Sequence, residues 1–211
     1  MPTSVSNQLN EIVELIVLTN PKALLDIGVG FGKYGLLARE YLEYWDGRGK
    51  YHDWQRRIDG IEAFPAYLTP VHEFVYSNMY KGDALQILPT LTMKYDLVLL
   101  IDILEHFAQD DGQKLLKECL RISRNVLVST PKDMAVQAGA FNNPYEAHKF
   151  QWTRKHLQVY PGAFFVRNGL SNIAYFGQDA GAIHKKFIRR QVGSRYPWLR
   201  HVTRLINGKR P

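Results

Sequence analysis

Residues 24–35 read LLDIGVGFGKYG: a short apolar run, then four glycines within eight residues. Glycine at every second position cannot fill a sheet or carry a helix. It marks a sharp turn whose main chain is bare of side chains, so that something else can approach closely. The apolar run before it reads as a buried strand, and the pattern behind it, from about 33 to 45, as a helix. A strand, tight turn and helix in that order point to crossover connections and a parallel sheet.

The rest of the chain repeats the alternation. Apolar positions 9, 12, 13, 16 and 17 have helical spacing, ended by Asn20-Pro21. RIDGIE (57–62) reads as a second strand, 65–74 as a second helix, and 76–81 as a third strand leading into Gly82-Asp83-Ala84. YDLVLLID (95–102) is an unbroken apolar run, as a strand covered on both faces requires. An amphipathic helix over 110–123 turns Leu115, Leu116, Cys119, Leu120 and Ile122 inward, and NVLVSTP (125–131) is the next strand. A polar loop over 131–150, a short helix near 153–160 and an antiparallel pair, AFFVRN and NIAYFG, complete the body. With 211 residues, 45% of them apolar, this is enough chain for one core.

Three ligands suit the glycine turn. A P-loop needs a first glycine where Ile27 stands and a Ser or Thr where Tyr34 stands. Gly30-Phe-Gly32-Lys-Tyr-Gly35 satisfies the dinucleotide pattern G-x-G-x-x-G. However, the strand ends at Ile27, so the turning glycine is Gly28, and counting from there puts Lys33 at the third position. The remaining frame is Asp26-x-Gly28-x-Gly30-x-Gly32. A carboxylate at the strand's last turn suits a ligand with a positive amino group, and Gly28 and Gly30 let the main chain approach a nucleoside. Acids follow at the ends of later strands. Glu62 can accept two ribose hydroxyls. Asp83 can accept an adenine amino group or cap a helix. Asp102 sits at the carboxyl edge, where open α/β sheets bind ligands.

This order of glycine frame, acid, Gly-Asp-Ala and Asp102-x-x-Glu105-His106 resembles the class I S-adenosylmethionine-dependent methyltransferases over roughly residues 20–180. The resemblance implies a Rossmann-like, doubly wound sheet of seven strands, mostly parallel with an antiparallel last strand and helices on both faces. It implies S-adenosylmethionine as cofactor, bound by Asp26, Gly28, Gly30, Gly32, Glu62, Asp83, Ala84 and Asp102. The polar stretch 46–56, which delays Glu62, departs from the family's pattern.

Glu105 and His106 follow the fourth strand and His148 follows the fifth, so the three can converge above the methyl group. Two His with one or two carboxylates can hold a divalent metal such as Mg. Asp102, Glu105, His106 and His148 form the candidate set. An acid-x-x-Glu-His with a later His resembles two metal-using subgroups. One comprises the O-methyltransferases of ubiquinone biosynthesis, the other the enzymes methylating the 2′-hydroxyl at small-RNA 3′ ends. A metal-free role for His106 as general base is the other reading, and a structural role for Glu105 and His106 the third. A hydroxyl acceptor must lose its proton, which calls for a base or a metal. The expected activity is methyl transfer to a hydroxyl of a small molecule, glycan or lipid-linked acceptor. The alternative is a non-catalytic nucleoside- or S-adenosylmethionine-binding module whose basic C-terminal tail engages a partner. No Asn-Pro-Pro-Tyr signature follows the fourth strand, so no DNA base is expected as substrate. Phe141, Tyr145, Phe150 and Trp152 would either close the 131–152 loop over the acceptor or pack back on the core.

The net charge of +7 is unevenly placed. Nine of the 27 Lys and Arg residues lie after Asp179, and none of the 20 acids does. The body is near neutral and is not read as a nucleic-acid binder. The domain expected over 1–183 is therefore followed by a basic tail, 184–211. There Trp198, Leu199, Val202, Leu205 and Ile206 share one helical stripe. Such a helix can pack on its own chain, lie on an anionic membrane surface, or meet a polyanion. One cysteine excludes a disulfide framework. No signal-peptide pattern and no apolar run of membrane length are present, so the expected location is cytoplasmic, or peripheral at a membrane through the tail.

Overall fold

A computed structural model describes residues 3–44 and 53–195. Seven strands form one sheet: β1 (Ala23–Ile27), β2 (Arg57–Glu62), β3 (Asn78–Lys81), β4 (Leu97–Ile101), β5 (Asn125–Pro131), β6 (Phe164–Val166) and β7 (Ser171–Gly177). Their spatial order is β3-β2-β1-β4-β5-β7-β6. β1 pairs parallel with both β2 and β4, and β7 runs antiparallel to β5 and β6. The order reverses between β1 and β4, so their carboxyl ends open a crevice at that point.

The helices are α1 (Leu9–Thr19), α2 (Lys33–Arg39), α3 (Pro70–Val75), α4 (Ala84–Ile87), α5 (Gln109–Ile122), α6 (Arg154–Leu157) and α7 (Ala180–Arg195). Strand side chains alternate between faces, and two cores result. Leu24, Ile58, Leu97 and Leu99 pack with residues of α1, α2, α3 and α7. Leu25, Ile61, Val98 and Leu100 pack with α4, α5 and α6 on the other face. Every residue of β4 is buried, as its unbroken apolar run requires.

Two elements differ from expectation for local reasons. The second helix is split: a 3-10 turn at Pro65–Tyr67 precedes α3, because Leu68 and Thr69 are extended ahead of Pro70. Helix α2 continues as a π-helical turn, Glu40–Tyr44. There Arg39 is buried and ties three segments together. It donates to Val75 O, Arg56 O, Ser77 Oγ and Glu43 Oε1. Residues 46–52 of the polar stretch and 196–211 of the basic tail lie outside the described residues. The described start of that tail continues α7, whose Ile183 and Phe187 join the core. Among the described residues, no helix is long and apolar enough to cross a membrane.

Candidate functional site

One cavity of about 790 Å³ opens at the carboxyl edge over β1 and β4. Gly28, Gly30 and Gly32 have φ of +73°, +52° and +82°, so this turn needs glycine. Gly28 N–H donates to Ile61 O, which fastens the turn to β2, and a Cβ at Gly28 would lie 2.0 Å from Ile103 Cδ1. The turn's main chain therefore faces the cavity with only Val29 and Phe31 bearing side chains. Glu62 borders it from the end of β2. Its Oε2 accepts from Gly30 N–H at 3.0 Å and its Oε1 from Phe64 N–H at 2.9 Å. Each oxygen keeps a lone pair for a ligand hydroxyl. Burial raises the Glu62 pKa, opposed by these two amides. Asp83 also lines the cavity, with its Oδ1 capping α4 through Leu85 N–H.

Asp26 is placed differently from expectation. It alternates with Ile27 and points to the opposite face of the sheet, and it does not line the cavity. Its carboxylate accepts from Tyr76 Oη at 2.7 Å and from the Gly35 amide. Burial raises its pKa to about 6. Gly32 also lies off the cavity, turned toward His72. These two residues support the turn from behind.

Asp102 lines the cavity but stands apart from the metal-ligand set expected for it. Its Oδ2 accepts from Gln8 Nε2 at 2.6 Å and its Oδ1 from Ser129 Oγ at 3.1 Å. It sits at φ +54°, which aims it toward the N-terminal segment. That segment roofs the cavity with Thr3, Ser4 and Val5, and Lys33 Nζ donates to Ser4 O at 2.8 Å.

At the far end, Glu105, His106 and His148 come together, with one potential ligand atom from each within 4.8 Å of the others. The main chain makes this convergence: Lys149 and Phe150 N–H both donate to Glu105 O. His106 Nδ1 lies 3.3 Å from Ala147 O and His148 Nδ1 lies 2.7 Å from Ala135 O. Each Nδ1 therefore carries a proton for its carbonyl, leaving Nε2 basic. A metal-binding histidine uses the same arrangement. Burial lowers the His106 pKa, so the ring is neutral near neutral pH. Glu105 is buried, and its Oε2 has no hydrogen-bond partner. Burial pushes its pKa well up, with Asp102 adding repulsion. An orphaned buried carboxyl oxygen in a cluster with two histidines fits a cation.

The loop aromatics divide. Phe141 and Tyr145 are exposed and line the cavity rim. Trp152 is buried against Gly112 of α5, and Phe150 packs edge-on against it, so neither reaches the acceptor side. Sequence reasoning overlooked Gln8, Lys33, His72 and the Tyr67 Oη to Glu146 Oε1 bond, which ties the 131–150 loop to the segment after β2 at 3.2 Å. Each joins segments far apart in the chain. Gln8 alone left a hint, as a polar residue just ahead of an apolar helix.

No protein-family model and no curated protein matches the chain. Solved structures do match its fold. The methyltransferase domain of bacterial CtHen1 superposes with a TM-score of 0.55 at 19% identity, over 81% of this chain and 97% of that domain. Magnesium protoporphyrin IX methyltransferase (ChlM) from Synechocystis PCC 6803 with bound SAH gives 0.53 at 16% identity, over 80% of each chain. An O-methyltransferase family protein from Burkholderia thailandensis gives 0.55 at 12% identity, over 80% of this chain and 55% of that one. The chain thus shares the Rossmann-like fold of these methyltransferase structures.

Proposed function

We propose that the chain is an S-adenosylmethionine-dependent methyltransferase whose acceptor is a hydroxyl on a small molecule, glycan or lipid-linked molecule. One observation carries this reading: a single cavity joins the Gly28–Gly30 turn, Glu62 and Asp83 to the Glu105, His106 and His148 cluster. Bound there, S-adenosylmethionine supplies a methyl group on a sulfonium that departs as a neutral thioether. The residues fit such a ligand. Glu62 keeps acceptor capacity for ribose hydroxyls, Asp83 faces the cavity as a carboxylate, and the glycine turn offers bare main chain. No phosphate needs to be met, which agrees with two carboxylates on this side.

The protein's own task is then to hold the acceptor oxygen in line with the methyl carbon and take its proton. His106, neutral through burial, can accept that proton at Nε2. A divalent ion such as Mg held by Glu105, His106 and His148 would instead lower the pKa of the hydroxyl. The orphaned Glu105 oxygen favours the ion. Phe141 and Tyr145 at the rim would shield the acceptor. The basic stretch after Asp179 would bring the enzyme to an anionic surface.

Titration calorimetry with S-adenosylhomocysteine is the test. Binding is expected, weakened tenfold or more in Glu62→Ala. No heat at millimolar ligand would end the reading. The metal has its own readout: Mn2+ is expected to raise the melting temperature of the wild type and not that of His148→Ala.

A further inference from the structure

We infer that His72 on α3 and Tyr76, the residue that ends that helix, are positioning residues that set the shape of the glycine turn from behind. The inference rests on the cofactor site proposed above. Neither residue lines the cavity, and both are buried.

His72 is bound at both ring nitrogens. Thr69 N–H donates to Nδ1 at 3.0 Å, at the start of α3. The ring proton therefore sits on Nε2, which donates to Gly30 O at 2.9 Å. Gly30 N–H is already given to Glu62 Oε2. Both polar main-chain groups of Gly30, which has φ +52°, are thus fixed from opposite sides. The carbonyl is held by a side chain of α3 that does not line the cavity. Tyr76 continues the support: its ring stacks near that of His72, 6.1 Å between centroids, and its Oη donates to Asp26. A Cβ at Gly35 would lie 2.5 Å from Tyr76 Oη, so the ring fills a cradle left by that glycine. Asp26 thereby acts through Tyr76 and the turn, not on the ligand.

The two hydrogen bonds of His72 set a chemical requirement. The side chain must accept from Thr69 N–H and donate to Gly30 O at once. Glutamine can do both, whereas glutamate can only accept. Glutamate at the third helical position is nonetheless a favoured partner in a capping box, so α3 itself should keep its start. His72→Glu therefore separates helix capping from support of Gly30.

The experiment measures S-adenosylhomocysteine affinity of His72→Gln, His72→Glu and Tyr76→Phe, with melting temperatures alongside. The expected results are binding within about threefold of wild type for His72→Gln, a loss of at least tenfold for His72→Glu, and several-fold for Tyr76→Phe. Equal binding by all three, with the wild type binding, overturns the inference. If the wild type fails to bind, the cofactor reading falls instead. A nitrogen-15 NMR spectrum of the ligand-free protein gives an independent check, since it needs no cofactor: His72 should show the Nε2–H tautomer with a slowly exchanging proton. The Nδ1–H tautomer would also overturn the inference, and it covers the case in which His72→Glu does not fold.

Discussion

At the scale of single residues, the site holds carboxylates under opposing pressures. Asp26, Glu62, Asp102 and Glu105 are all raised in pKa, chiefly by burial. Asp26 shows the consequence most plainly. A carboxyl whose pKa goes up on folding binds more protons folded than unfolded, so its contribution opposes folding as pH rises. For Asp26 the change runs from the usual 3.8 to about 6. At about 1.4 kcal/mol per pH unit, the cost above pH 6 is about 3 kcal/mol. Asp26→Asn keeps an acceptor for Tyr76 Oη and removes the charge. Chemical denaturation should show the variant more stable than wild type at pH 7.5, with the gap closing between pH 6 and 4. A gap independent of pH would contradict this account.

At the scale of elements, short helices carry the site and their caps have double duty. Asp83 starts α4 and also borders the cavity. The two roles separate by substitution. Asp83→Ala should lose about 1 kcal/mol of stability with the cap, and Asp83→Asn only a few tenths. If Asp83 also accepts an amino group from the ligand, both variants should lose S-adenosylhomocysteine affinity several-fold. Normal affinity in both would reduce Asp83 to a cap. These elements were legible where their signal was local: β4 from its apolar run, α5 from its amphipathic spacing. The split at Pro65–Tyr67 and α3 was less so, because a proline-led helix start at Pro70 depends on where the extended Leu68 and Thr69 are drawn.

At the scale of the whole molecule, the reversal of strand order between β1 and β4 gathers residues from both ends of the chain. The N-terminal segment reaches Asp102 through Gln8, and Lys33 and Tyr34 through Ser4. It roofs the cavity while α1, just behind it, stays packed on α7 and α2. Deleting residues 1–5 should therefore leave the melting temperature within a few degrees. Stopped-flow displacement should show S-adenosylhomocysteine leaving at least tenfold faster. An unchanged off-rate would mean that the segment is not a barrier.

The amino-acid sequence alone determined the alternating elements, the glycine turn, and the acids Glu62, Asp83 and Asp102 at the strand ends. These rest on local periodicity and on backbone angles that only glycine adopts easily. It also brought Glu105, His106 and His148 to one edge, because residues following adjacent parallel strands emerge on the same side. Only the tertiary structure decided which way each side chain points and what meets it. It turned Asp26 behind the turn to Tyr76, gave Asp102 to Gln8 and Ser129, buried Trp152 against Gly112, and placed His72 against Gly30. Those choices come from contacts between segments distant in sequence, set by packing and by the need to satisfy buried polar groups, and no local pattern records them.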